Sequence, residues 1–177
     1  MTDVPELAAD PATAARDAAR DARRLALGAV FEAEFGLRTA SRILERRLAE
    51  EGADPSAAVL ARTIVDAVVA QRDAIDARIE QTATRYPVVQ LARIDRSLLR
   101  CAIGELLHCP ATPTRVAIAD WVEMARRYSG EPTRRLMNGI LGRIAADRTA
   151  TPPGARTPPG VPGDGERTTS DQEGAPT

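Results

Sequence analysis

The sequence predicts an all-α protein, and three observations predict it. From Ile94 to Leu141 the apolar residues recur at helical spacing in three successive runs, IDRSLLRCAIGELLH, VAIADWVEMARRY and LMNGIL. Hydrophobic residues make up 44% of the chain but aromatics only 3%. A core of Ala, Leu, Ile and Val suits close-packed helices better than a sheet, where β-branched and aromatic side chains are favoured. The breaks between runs carry Pro, Gly, Asp or Thr, the residues that stop or start helices.

The elements follow in order. Residues 1–14 are acidic, with Pro5 and Pro11, and are expected to be disordered or a frayed helix start. A first helix runs from near Ala15 to Phe35 and ends at Gly36, and a second spans Thr39 to Glu50 and ends at Gly52. Asp54-Pro55 is a cap followed by proline at the first helical position. The third helix then reaches about Gln71, with Ala57, Leu60, Ala61, Ile64, Val65 and Val68 as its stripe. A fourth covers Asp73 to Thr84 with Ile75, Ile79 and Ala83 inward. Arg85-Tyr86-Pro87 breaks the chain, and Val88 to Ala92 forms a short turn of helix.

The fifth helix places Ile94, Leu98, Leu99, Ala102, Ile103 and Leu106 on one stripe, with Asp95 expected as its N-cap. Pro110 and Pro113 end it, and Thr114 is the expected cap of the sixth. The break near Gly130 leads into the seventh. From Thr149 onward Pro and Gly dominate and Val161 is the one large apolar residue, so residues 149–177 read as a disordered tail. That leaves 15–148 as the folded domain, enough for a single core.

Charge gives no global direction. The net charge is −1, so attraction to nucleic acid must come from local patches. Every basic residue is Arg, which fits a GC-rich genome and equally fits RNA contact through planar, forked guanidinium groups. Cys101 and Cys109 match neither a zinc knuckle nor a redox pair and read as buried thiols. The N-terminus has no signal-peptide pattern and no window reaches the length of a membrane span, so a cytoplasmic protein without membrane contact is expected.

Catalytic signals are absent. The single histidine, His108, closes one Glu-x-x-His on the fifth helix, whereas a di-iron bundle needs that motif twice. Phosphate-binding glycine loops and the nucleophile elbow do not occur. The carboxylates read as solvated polar faces. The expectation is a protein that binds, with no catalytic residue, no metal and no cofactor.

Two basic patches could bind RNA. Arg16, Arg20, Arg23 and Arg24 recur at i+3 and i+4 on the first helix. Asp17 and Asp21 lie among them, so a salt-bridged, solvated face remains the competing reading. The second patch is Arg126, Arg127 and Tyr128, followed by Arg134 and Arg135 at the start of the last helix. An aromatic beside arginine is a platform for an unpaired base, and a helix start favours phosphate. The competing reading has Tyr128 packing over the helix end.

The chain resembles the NusB family of bacterial transcription antitermination factors in four ordered pieces. Ala22-Arg23-Arg24-Leu25-Ala26-Leu27-Gly28-Ala29-Val30-Phe31 is similar to the family's first helix, "AR-x-x-A-(L/V)-QALY". Asp95-Arg96-Ser97-Leu98-Leu99-Arg100-Cys101-Ala102-Ile103-Gly104-Glu105-Leu106 is similar to its "DR-x-(I/L)-LR-x-A-x-x-EL" helix. Val116 to Ala125 resembles "VAINEAVELA", and Leu136-Met137-Asn138-Gly139-Ile140-Leu141 resembles "F-(V/I)-NG-(V/I)-L". The resemblance covers roughly residues 19 to 148 and implies two packed helical subdomains that meet near Pro87.

The resemblance implies a factor that binds the boxA element of ribosomal RNA leader transcripts together with NusE, a small-subunit ribosomal protein. It also implies docking on elongating RNA polymerase with other Nus factors. It assigns RNA contact to the start of the first helix, carried onto Arg20 and Arg23, to Phe31, and to Tyr128 with the loop before the last helix. Asp95, Arg96, Arg100, Glu105, Asn138 and Gly139 are its motif residues. Asn138 is expected in a buried polar contact or cap, and Gly139 at a close helix contact. The chain departs from the pattern at Ala19 and Asp21, where basic residues are usual, at Gly104 and Leu136, where an aromatic is usual, and at Ala119-Asp120. Some members self-associate, so a homodimer stays open. The alternative is a helical protein-interaction module related to the RNA-binding domain of ribosomal RNA methyltransferases, without strong RNA binding of its own.

Overall fold

An aspartate followed by a proline starts two of the helices by one device. Asp10 accepts a hydrogen bond from the Ala12 amide at 3.4 Å and Asp54 from the Ser56 amide at 2.8 Å, each with proline as the first helical residue. Such a cap satisfies amides that the helix leaves orphaned and contributes about 1 kcal/mol. The computed structural model describes residues 10–83 and 87–150, and shows seven α-helices and no strand among them.

The helices are α1 (Pro11–Ala33), α2 (Ala40–Glu51), α3 (Pro55–Ala70), α4 (Arg72–Thr82), α5 (Arg93–His108), α6 (Thr114–Ser129) and α7 (Glu131–Ala150), with a 3₁₀ turn at Val88–Gln90 before α5. Helix α1 starts earlier than expected, because the Asp10 cap and Pro11 begin it, so residues 11–14 belong to the fold. Residues 1–9 of the expected disordered N-terminus, Thr84 at the expected end of the fourth helix, Arg85 and Tyr86 of the expected break, and 151–177 of the expected tail lie outside the described residues. Gly52 at φ 60° and Gly130 at φ 93° take left-handed backbone that turns α2 and α6 into their successors.

Two expected caps sit elsewhere. The N-cap of α5 is Ala92, without a side-chain cap, and Asp95 lies within the first turn, where its Oδ1 accepts from the Thr133 hydroxyl at 3.2 Å. It thus ties α5 to α7 and still faces the positive end of the helix dipole. Pro113 occupies the N-cap position of α6 and Thr114 is its first helical residue.

Helix α1 packs on α2 and α3, and α6 packs on α7 as a hairpin. Helix α5 lies between these groups and touches α1, α3, α4, α6 and α7. The two subdomains therefore share one continuous apolar core. Gly104 is the close helix contact: a Cβ there would lie 3.1 Å from Val68 Cγ2 and 3.6 Å from Ala67 Cβ, so α5 approaches α3 without a side chain between them. Gly139, expected in that role, is exposed, and a Cβ on it would meet nothing within 4 Å. Asn138 is likewise exposed, because both fall between the buried positions Met137 and Ile140 on the outward side of α7.

Candidate functional site

Helix α1 presents Arg16, Arg20 and Arg24 at i+4 spacing on one exposed stripe, and Phe31 falls on the same stripe two turns later, half-buried. Arg16 has no ion-pair partner among the described residues. Arg20 lies 3.6 Å from Asp17. Arg24 donates to Glu51 at 2.7 Å and to Asp21 at 3.4 Å. Two of the three arginines thus face three carboxylates, and these exposed pairs are weak enough for a polyanion to displace.

Arg23 does not belong to that stripe. Its side chain is fully buried. Nε and Nη2 donate to the two oxygens of Glu105 at 2.9 and 2.7 Å, and Nη1 donates to Asp120 Oδ2 at 2.7 Å. The Trp121 indole N–H donates to Glu105 Oε2 at 2.6 Å. Arg23 and Arg24 are neighbours in sequence but about 100° apart around the helix, and the core boundary passes between them. Arg23 therefore fastens α1 to α5 and α6 and has no surface to offer RNA. Glu105 and Asp120 correct the reading of all carboxylates as solvated faces.

The motif arginines of α5 do similar work at the far end of α1. Arg100, 4% exposed, donates Nε and Nη2 to Asp76 at 2.7 and 2.6 Å and Nη1 to Glu34 at 2.6 Å. Arg96 pairs with the same Glu34, and Arg72 reaches it at 3.4 Å. These residues join α1, α4 and α5. Sequence reading found Arg96 and Arg100 but not their partners Glu34 and Asp76, which lie far away in the chain.

In the second patch, Tyr128 is 43% exposed at the end of α6, and the adjacent Arg127 is exposed with no described ion pair. Arg126 is held by Glu123 at 2.8 Å. Arg134 and Arg135 converge on Glu131 in the first turn of α7, at 2.7 and 3.3 Å. The hydrogen bond from Arg134, followed by that from Arg135, pulls the Glu131 carboxyl down to about 2. An acid already occupies this helix start, so phosphate there must compete with Glu131.

Chemistry beyond binding has little to work with. Cys101 and Cys109 are buried, and burial raises both thiols, Cys109 to about 11, which suppresses the reactive thiolate. No cluster of three metal-ligating side chains occurs among the described residues. No described helix is long and apolar enough to cross a membrane.

Comparison with known proteins is consistent over most of the chain. Residues 20–146 match the model of the NusB family. A transcription antitermination protein NusB from Dehalococcoides mccartyi is 35% identical over 121 residues, which cover 68% of this chain and 85% of that one. The solved structure of NusB from T. maritima superposes with a TM-score of 0.67 at 32% identity, covering 72% of this chain and 90% of that chain. A crystal structure of antitermination factors NusB and NusE in complex with dsRNA contains a chain with the same fold, with a TM-score of 0.67 at 20% identity, covering 74% of this chain and 98% of that one.

Proposed function

Because this chain belongs to the NusB family, we propose that it is a transcription antitermination factor that binds boxA-type leader RNA together with NusE and docks with other Nus factors on the RNA polymerase elongation complex. The binding unit is the helical domain, residues 15–148 with α1 extended to Pro11. It acts in the cytoplasm and by non-covalent binding alone.

The observation that carries the reading is the exposed stripe of Arg16, Arg20 and Arg24, with the half-buried Phe31 in line with it, on a firmly held α1. Arginine supplies phosphate contact and Phe31 an apolar face for a base. Arg127, Tyr128, Arg134 and Arg135 form the second part of the interface. Arg23 contributes by fixing α1 against α5 and α6. The dsRNA-bound complex of NusB and NusE supports the choice of partners.

One observation favours the protein-interaction module: the three arginines of the α1 stripe stand beside Asp17 and Asp21 of the same helix and Glu51 of α2, so the local field is weak. On our reading this neutrality makes RNA binding depend on NusE. The test is titration of labelled boxA RNA with this protein, with and without cognate NusE, at two salt concentrations and against a scrambled RNA. Selective, salt-sensitive binding that needs both proteins supports the proposal. Equal binding to both RNAs, or none, supports the module.

A further inference from the structure

Two consecutive rungs join α1 to α2. In the first, Arg24 donates to Glu51 at 2.7 Å. In the second, one turn further along α1 and one turn back along α2, Arg47 lies against Gly28. Gly28 follows Arg24 at i+4, so the spacing of Arg16, Arg20 and Arg24 runs on to a residue without a side chain. A Cβ at Gly28 would lie 3.2 Å from Arg47 Nη1 and 3.3 Å from Arg47 Cζ. The guanidinium from α2 therefore fills the place where α1 would carry its own side chain. The family pattern has Gln at this position; with Gly there, α2 supplies the polar group, and supplies it charged.

Arg47 has bonding capacity to spare. Among the described residues it makes one hydrogen bond, from Nη2 to Glu32 at 2.9 Å. Its Nε is buried without a partner, while 31% of the side chain stays exposed. Arg46 holds the same Glu32, with Nη2 at 2.8 Å from one carboxylate oxygen and 3.1 Å from the other. Arg46 alone can neutralise Glu32, which leaves the charge of Arg47 in excess. Arg20 and Arg24 differ, since Asp17, Asp21 and Glu51 stand against them. Along this face the unmatched positive charge thus lies at Arg16 and at Arg47. A guanidinium fork with one bond to a shared carboxylate keeps donors for a phosphate.

We propose that Arg47 is a further RNA-contact residue, which continues the α1 stripe from the neighbouring helix and takes the backbone phosphate next to the one at Arg24. It rests on the RNA-binding reading above and deepens it. Glu32 is then a built-in competitor: RNA draws Arg47 from Glu32 to phosphate, and Arg46 keeps the acid.

The test titrates boxA RNA with the full chain and NusE at about 50 and about 200 mM salt, for the parent, Arg47→Met, Arg47→Lys and Glu32→Gln. Met keeps an apolar stem against α1 and removes the charge. Urea unfolding of each variant supplies the folded fraction for the titration. The expected result is that Arg47→Met binds about threefold or more weakly at the lower salt and loses about 0.7 of the salt slope, so its deficit shrinks about 2.6-fold at the higher salt. Arg47→Lys keeps the parent's slope, because a point charge suffices for it. Glu32→Gln binds about twofold tighter than the parent, since the competing acid is gone; a merely structural Arg47–Glu32 pair predicts no gain. An Arg47→Met protein with the parent's slope, or a Glu32→Gln protein that binds no better than the parent, overturns the proposal and leaves the boxA reading intact. Absence of RNA binding by the parent complex overturns both. Loss of NusE affinity in Arg47→Met, measured without RNA, assigns the residue to protein docking and overturns the proposal as well.

Discussion

The arginines of this protein do opposite jobs on the two sides of one helix, and Arg23 and Arg20 show the contrast most clearly. Arg23 is fully enclosed, forked onto Glu105 and bonded to Asp120, while Arg20 stands 66% exposed with a loose contact to Asp17. Away from water each guanidinium bond is hard to replace, and removing one partner strands a charge in the core. In water the same pair contributes little and yields readily to another anion. Burial thus decides whether an arginine fastens the fold or remains available to a ligand.

The largest effect should come from breaking the buried side. Glu105→Gln leaves Arg23 without its forked partner and weakens the acceptor of the Trp121 indole, so chemical denaturation should show a loss of about 3–5 kcal/mol. On the exposed side, Arg20→Glu with Arg24→Glu should leave the unfolding midpoint nearly unchanged. It should weaken boxA binding by the NusE complex tenfold or more in a fluorescence titration, because two contacts become repulsive. A smooth loss of stability from this pair, with binding intact, would reverse the assignment.

Smaller effects sharpen the contrast. Gly104→Val drives a side chain into Val68 and should cost about 1–3 kcal/mol in thermal or urea unfolding. Gly139→Ala meets open space within a helix and should gain about 0.5–1 kcal/mol. The smallest effect is the pH response of Glu131. Its carboxyl is depressed to about 2, so its contribution is complete above the ordinary carboxylate range and fades as pH falls toward 2. Subtracting the acid-unfolding curve of Glu131→Gln from that of the parent should reveal a shallow difference confined to that window.

The helices were legible because the apolar period, the Asp-Pro caps and the glycine stops are local signals, and they place each helix within a few residues of its observed ends. The interior ion pairs were not legible, since Arg23 meets residues 82 and 97 positions away. A trace of the answer was present. Arg23 is in phase with Ala26 and Val30 at i+3 and i+7, both buried, and Glu105 follows Cys101 and Ala102 on a buried face. A charge in phase with an apolar stripe is a candidate fastener, and phase weighed before charge separates Arg23 from the exposed arginine stripe proposed for RNA. Asn138 and Gly139 erred the other way: a motif suggested burial, and their phase on α7 turns them outward.

The central claim is tested most directly by measuring urea unfolding and boxA affinity with NusE in parallel for Arg23→Met and Arg20→Met. The account predicts that Arg23→Met loses about 3–5 kcal/mol of stability while its folded fraction binds RNA as the parent does. Arg20→Met should stay within about 0.5 kcal/mol of the parent in stability and bind RNA several-fold more weakly. An Arg23→Met protein that unfolds like the parent yet has lost RNA binding would contradict it.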